Sequence, residues 1–408
     1  MTIRTTSDPT GTYGPPSDIT YIVAPDVTIG ALHTSGQNVH LVNYGSIGPD
    51  ASLVSNSSVS LDTGADATFV NKADGFVVRT RAGGAAIEVQ GTGSVVNEGT
   101  VLCDAGHGIG VTGATANNVS ISNSGDLYGR LNGIWVAATS AQNVTISNSG
   151  EIIGDANGVH MQFGVGAAPT IFNTGVITGR GGNSIIATDG DRLNLTNYGT
   201  LNGHVTALSA GLADSVFNNG RIVGNVNLGS GNDVYRGVGS VSGTVSGEAG
   251  NDALSGGNGA DKLDGATEND TLIGNGGGDT LIGGAGIDTL FGGLGVDSLN
   301  GGANADFFVF NTALNAVTNR DIITGFSHVD DTIRLENAIF SKLAAVGSLN
   351  PAFFRVGAAA LDANDYIVYN PTNGVLSYDN NGNAAGGSTA FAVLALHPAV
   401  AGNDFQVI

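Results

Sequence analysis

The sequence predicts an all-β protein: a right-handed parallel β-helix, then a parallel β-roll, then a C-terminal β-rich cap. Three observations carry that expectation. Glycine supplies 66 of 408 residues while 41% of the chain is hydrophobic, a composition of short strands and tight turns rather than of a disordered tract. An Asn-x-Gly marker recurs through the first half. A nine-residue repeat runs unbroken from Gly247 to Val309. Fixed periods of this kind signal stacked coils.

The first period spans residues 36–227. Asn97/Gly99, Asn123/Gly125, Asn148/Gly150, Asn173/Gly175, Asn197/Gly199 and Asn218/Gly220 mark it, with an earlier copy at Asn43/Gly45 and a worn one near Asn71. Two residues before each Asn stands an apolar side chain (Val95, Ile121, Ile146, Ile171, Leu195, Val216), and four after it another (Val101, Leu127, Ile152, Ile177, Leu201, Ile222). The pattern reads as strand, corner, strand. Glycine is expected to supply a positive φ at the corner, and Asn a hydrogen bond to local backbone. A repeat of about 25 residues suits one β-helix coil of three short strands. The remaining expected divisions are a lead-in at 1–35, the roll at 228–309 and a cap at 310–408, with a hairpin over Ile367–Tyr378 and an amphipathic stretch at Asn337–Val346.

Charge narrows the partners. The net charge is −21; residues 1–227 hold 16 acidic and 8 basic residues, and residues 228–408 hold 19 and 6. Such a surface repels nucleic acid and anionic membranes and favours a cation. No run of apolar residues is long enough to span a membrane. Cys103 is the single cysteine, so no intrachain disulfide forms. Met1–Thr20 lacks the basic-then-apolar layout of a signal peptide, so either the protein stays inside or its export signal lies elsewhere.

The second period carries the chemistry. Seven nonapeptides begin at Gly247, Gly256, Gly265, Gly274, Gly283, Gly292 and Gly301. Their sixth position is always aspartate: Asp252, Asp261, Asp270, Asp279, Asp288, Asp297 and Asp306. Their eighth is Leu254, Leu263, Leu272, Leu281, Leu290, Leu299 and Phe308, and an outlying copy sets Asp233 and Tyr235 ahead of the array. If two nonapeptides make one coil, Asp252, Asp270, Asp288 and Asp306 line one edge, and Asp261, Asp279 and Asp297 the other. Neighbours on an edge lie one strand spacing apart, about 4.8 Å. Bare carboxylates that close repel by roughly 1 kcal/mol in water and about four times that at an effective dielectric of 20. A hard cation resolves the conflict, because Ca2+ takes six to eight oxygens at about 2.3–2.6 Å. Two successive turns offer two carboxylates and glycine carbonyls. The expected metal ligands are therefore the seven repeat aspartates with Asp233.

These nonapeptides resemble the RTX (repeats-in-toxin, hemolysin-type) calcium-binding repeats, a pattern known to wind into a β-roll. The segments Asn304-Ala-Asp-Phe-Phe-Val-Phe310, Asp321-Ile-Ile-Thr-Gly-Phe326 and Asp331-Thr-Ile-Arg-Leu335 resemble the region following the repeats in serralysin-like proteins, except that Gly325 stands where an acidic residue is usual. Asp404-Phe-Gln-Val-Ile408 resembles an uncleaved type I secretion signal. The resemblance implies a secreted, extracellular bacterial protein that binds calcium and uses a type I secretion transporter. It covers residues 229–408 and assigns nothing to residues 1–227.

For the first half two readings stand: a surface, matrix or adhesion module meeting polysaccharide, and a polysaccharide lyase, epimerase or hydrolase. Gly106-His107-Gly108 resembles a pectinase motif, but His107–Val111 aligns with Asn132–Val136 and Asn157–Met161 as one more strand of the coil. Asp126 and Glu151 are expected side by side on a solvent face. Asp104, Arg130, Asp155, Arg180 and His204, each seven after its Asn, are expected to form a ladder of mixed charge. No HExxH, no GxSxG and no long apolar helical region occurs. No catalytic residue is assigned, and the non-enzymatic reading leads. Asp379-Asn-Asn-Gly382 reads as a turn before it reads as an extra calcium site.

Overall fold

The computed structural model describes residues 67–408 apart from 81–82, 114–117, 139–142, 164–167, 189–191 and 209–210, and before residue 67 it describes 12–13, 19–23, 28–29, 32–34, 39–47 and 59–61. Most of the expected lead-in, and with it the reading of Met1–Thr20, lies outside the described residues. Among the described residues the regular elements are strands and two 3-10 turns, and no helix is long and apolar enough to cross a membrane. The chain divides into two compact units, Met1–Gly229 and Ser230–Ile408.

The first unit is a parallel β-helix. One coil runs through strands Val119–Asn123, Asp126–Gly129 and Asn132–Ala138, and the next through Val144–Asn148, Glu151–Gly154 and Asn157–Phe163. Each strand pairs in parallel with its counterpart one coil on. The apolar positions stack in register: Val95, Ile121, Ile146, Ile171, Leu195 and Val216 form one column. Val101, Leu127, Ile152, Ile177, Leu201 and Ile222 form a second. All are buried, each stabilising the coil by about 1.5–3 kcal/mol through apolar surface removed from water. Ile109, Ile134, Val159, Ile185 and Val205 build a third wall, which makes His107–Val111 the ordinary strand its alignment suggested.

The marker asparagines are buried and hydrogen-bond to one another rather than only to local backbone. Asn43 Nδ2 donates to Asn71 Oδ1, Asn71 to Asn97, and so on through Asn123, Asn148, Asn173, Asn197 and Asn218, at 2.7–2.8 Å. The worn copy is thus a full member: Asn71 donates to Gly75 O, a glycine four residues on rather than two. The marker glycines do not serve by positive φ, as the corner argument expected. None of Gly99, Gly125, Gly150, Gly175, Gly199 and Gly220 adopts one. A Cβ at Gly125 would instead strike Gly99 O, one at Gly150 Gly125 O, and one at Gly175 Gly150 O. The corners stack so closely that only hydrogen fits.

In the second unit two nonapeptides make one coil. Strands Ala253–Ser255, Thr271–Gly276, Thr289–Leu294 and Phe307–Phe310 pair on one face, and Lys262–Thr267, Thr280–Ala285 and Ser298–Ala303 on the other. The interior is two apolar columns. Tyr235, Leu254, Leu272, Leu290, Phe308, Ile333 and Phe405 form one. Val245, Leu263, Leu281, Leu299, Ile323 and Leu394 form the other. Both columns continue past the repeats: Thr332–Leu335 and Phe405–Val407 extend the first face, Asp321–Thr324 and Ser388–Leu394 the second. The hairpin pairs Ile367–Asn370 with Val375–Asp379 across Pro371–Gly374. Residues 337–346 form turns rather than a regular element; Phe340 packs on Tyr378 and Phe391, and Leu343 is buried.

Candidate metal centre

The nonapeptide turn is built around its aspartate. The carboxylate of position six folds back over the glycine of position one. A Cβ at Gly247 would meet Asp252 Oδ2, one at Gly265 Asp270 Oδ2, one at Gly283 Asp288 Oδ2 and one at Gly301 Asp306 Oδ2. The carbonyl of the next coil's first glycine reaches the same place: Gly283 O lies 2.7 Å from the Cβ position of Gly265, beside Asp270 Oδ2. Carboxylate and carbonyl oxygens therefore converge where a side chain is absent.

The aspartates stand in two files. In the first, the backbone N–H of Asp233 donates to Asp252 Oδ1 at 2.7 Å, Asp252 to Asp270 at 2.8 Å, Asp270 to Asp288 at 2.8 Å and Asp288 to Asp306 at 2.9 Å. In the second, Asp261 donates to Asp279 and Asp279 to Asp297, both at 2.8 Å. All eight expected residues thus sit in the files, and all are buried. The files hold two members more: Asp306 N–H donates to Asp331 Oδ1 at 3.0 Å and Asp297 N–H to Asp321 Oδ1 at 3.2 Å. Sequence reasoning missed these two as site residues because the nine-residue step fails there. Their signal was the pair Asp-x-Ile at Asp321/Ile323 and Asp331/Ile333, which repeats the Asp-x-Leu of the array. Gly325, where an acid is usual, has φ 78° and lies against Asn300.

The second carboxylate oxygen has a different setting. Oδ2 of Asp252, Asp270, Asp279, Asp288 and Asp306 is buried with no hydrogen-bond partner. Asp261, at the start of its file, differs: its Oδ2 accepts from Gly257 N–H at 2.7 Å. Burial, and then neighbouring carboxylates, push the acids well up: Asp252 and Asp279 to about 6, Asp270 and Asp306 to about 7. Asp321 is pushed up to about 8 by burial and by Asp297. An anionic oxygen left unpaired in a buried place costs several kcal/mol, of order 1–3 or more, unless a cation meets it. Among the described residues no three His, Cys, Asp or Glu side chains gather at one point. The donor set between turns is two carboxylates with glycine carbonyls, all hard oxygens, which suits calcium rather than a transition metal.

The outer face of the first unit holds the remaining candidates. Asp126 and Glu151 are register partners on adjacent strands. The charge column is engaged with itself: Arg180 Nη1 meets Asp155 Oδ1 at 2.9 Å, Tyr128 donates to Asp155 Oδ2 at 2.7 Å, and Arg130 Nη1 reaches Asp104 O at 3.3 Å. His204 Nδ1 accepts from Asn225 N–H at 2.9 Å. His107 stacks on Trp135 with centroids 4.6 Å apart. Burial, helped by His160, lowers its pKa to about 4. Asn157 Nδ2 donates to Asn132 Oδ1, which turns Asn132 Nδ2 toward His107 Nδ1 at 3.1 Å; the neutral ring then carries its proton on Nε2. Asp379–Gly382 forms a turn in which Asp379 accepts from Asn381 N–H at 3.2 Å.

Compared with protein families, residues 239–272 and 273–308 match the RTX calcium-binding nonapeptide repeat (4 copies). Compared with curated proteins and with solved structures, the chain has no match in either set. The family match falls on the residues that place carboxylates in two buried files, and it leaves the first unit unassigned. Residues 239–308 are thus RTX calcium-binding nonapeptide repeats, whose ion is Ca2+.

Proposed function

We propose that the repeat aspartates hold calcium between successive turns, that calcium binding drives folding of this unit after export, and that the first unit is a surface, matrix or adhesion module. The observation that carries the calcium reading is the row of buried Oδ2 atoms without hydrogen-bond partners. Asp233, Asp252, Asp270, Asp288 and Asp306, with Asp331 added, would serve one edge; Asp261, Asp279 and Asp297, with Asp321 added, would serve the other. Each ion would bridge two consecutive members of a file, one coil apart. The apolar interior between the files is one or two side chains wide, too little to offset glycine entropy and carboxylate repulsion alone. Binding free energy then becomes folding free energy. Circular dichroism of the full chain checks this: chelation is expected to remove part of the strand signal, and calcium to restore it. Identical spectra with calcium and with chelator, together with no calcium retained on dialysis, would sink the proposal.

Export by a type I transporter, with residues 310–408 as the export region, follows from the same chemistry. In a calcium-poor cytosol the acidic unit stays unfolded and threadable. Deleting residues 349–408 is expected to abolish export in a host with a matching transporter; normal yield in the medium refutes it. For the first unit, three exposed or half-exposed rings on consecutive coils support a polysaccharide partner. Phe172, Tyr198 and Phe217 have centroids 5.8 and 5.9 Å apart, a surface on which sugar faces can stack. A glycan array should show binding that Tyr198→Ala removes.

A further inference from the structure

The turn gaps are not equivalent, and the difference lies at position four of the nonapeptide. That position is Gly250, Gly259, Gly277, Gly286 or Gly295 in five of the repeats, Asn304 in the last and Glu268 in the third. At three other turns its N–H donates to a backbone carbonyl of the following coil, Gly231 to Ala249 O at 2.8 Å, Gly277 to Leu294 O at 2.8 Å and Gly286 to Ala303 O at 3.2 Å, and Gly295 N–H donates to the uncharged Asn319 Oδ1 at 2.8 Å. Between the turns of Asp252 and Asp270 a carboxylate takes that role. Gly250 N–H donates to Glu268 Oε2 at 2.9 Å, and Thr267 Oγ1 donates to the same oxygen at 2.8 Å. The side chain of Glu268 is thereby folded back over the preceding turn. Its backbone holds φ 71°, a conformation that favours glycine, so the residue sits where the local geometry would rather have none.

The same turn holds two further carboxylate oxygens. Asp252 Oδ2 is buried without a hydrogen-bond partner, and Asp270 Oδ1 reaches back to Asp252 N–H. In a file where every aspartate is shared by two gaps, each divalent ion meets on average one unit of negative charge. Glu268 is not shared, and it doubles that charge at one gap.

We propose that Glu268 makes the Asp252/Asp270 gap the tightest calcium site of the array, the first to fill and the last to empty. This rests on the calcium reading above. Glu268 acts from the rim as a charge and as the acceptor for Gly250 N–H, while the two aspartates and the turn carbonyls face the ion.

The test uses the full chain and calcium alone. Hydrogen exchange read by mass spectrometry at limiting calcium should protect peptides covering residues 247–270 before those covering 274–306. Glu268→Gln, which keeps size and acceptor but loses charge, should abolish that order. Calorimetry should show the same number of ions bound, with the tightest weakened about tenfold. Glu268→Gly restores the usual residue of the repeat, so a loss of order in that variant cannot be ascribed to misfolding. Simultaneous protection of all turns in the unaltered protein, or an unchanged tightest site in both variants, overturns the proposal while leaving the calcium array intact. An unaltered protein that binds no calcium overturns both.

Discussion

Asp279 illustrates what a shared ligand implies. Its Oδ1 accepts from Asp261 N–H and its own N–H donates to Asp297, so it stands in two gaps. Asp279→Ala is expected to lower the calcium stoichiometry by about two, since each ion bridges neighbouring turns; calorimetric titration measures it, and no loss would remove Asp279 from the ligand set. Asn148 has the equivalent position in the first unit. It accepts from Asn123, donates to Asn173, and also donates to Gly150 O and Val176 O. Asn148→Ala removes the donor to the buried Asn173 Oδ1 and should cost about 1–3 kcal/mol in denaturant unfolding. At this scale the sequence was most legible where a residue type repeats. Asn97 to Asn218 and Asp252 to Asp306 announce themselves by spacing. Asn71, Asp321 and Asp331 belong to the same files but follow insertions, which leave the stacking intact and destroy the count. What spacing cannot give is the reason for a residue: Gly125 and Gly150 were legible as corners, yet the carbonyl of the coil before, not φ, excludes a side chain there.

Positive φ decides the turns of the roll instead. Gly284, Gly286, Gly293, Gly295 and Gly302 all adopt it, and where glycine is replaced, Glu248, Ala266, Glu268, Asn275 and Asn304 are held at φ 71–81°. The backbone of the turn is therefore set by the coil stacking and not by the local residue. Ala266 at φ 76° carries the cost of a Cβ in the left-handed region, roughly 1–2 kcal/mol. Ala266→Gly should recover about 1 kcal/mol of that after the added entropy of glycine, seen as a higher thermal midpoint in saturating calcium. The hairpin at 367–378 was readable because strand alternation and the Pro371–Gly374 turn lie together in sequence. The stretch 337–346 was readable only as apolar spacing. Its form is settled by Phe340 entering the aromatic cluster with Tyr378 and Phe391, a contact that no local pattern encodes.

The two units should answer to different solution conditions. The first has its core in stacked Val, Ile and Leu and its polar order in amides, neither of which titrates or needs a metal. A fragment of residues 36–227 should give the same strand spectrum with calcium or with chelator, and its loss on chelation would refute that division. The second unit is pH-dependent in a defined sense. Asp252, Asp270, Asp279, Asp306 and Asp321 have folded pKa values above the ordinary aspartate range, at about 6 to 8. The folded metal-free form therefore holds more protons than the unfolded chain. Its stability is greatest in acid and falls as pH rises from about 4 through 8. Calcium competes for the same oxygens, so its affinity should rise over that interval with release of protons. Titrations at pH 5, 6 and 8 in buffers of different ionisation enthalpy measure both, and a flat affinity would refute the assignment.

The asparagine file also bears on chemical ageing. Deamidation begins when the backbone nitrogen after an asparagine attacks its side-chain carbonyl. In the file that nitrogen is committed to the coil before: Ser124 N–H to Asn97 O, Ser149 to Asn123, Thr174 to Asn148, and Tyr198 to Asn173, at 2.7–2.8 Å. The amide itself is clamped above and below. Asn381, exposed and followed by glycine, has no such backbone bond at Gly382 N–H, whereas Gly374 N–H after Asn373 donates to Asn370 O at 2.9 Å. In protein stored for weeks at neutral pH, peptide mass spectrometry should find conversion to aspartate and isoaspartate at Asn381 while Asn123, Asn148, Asn173 and Asn197 stay intact.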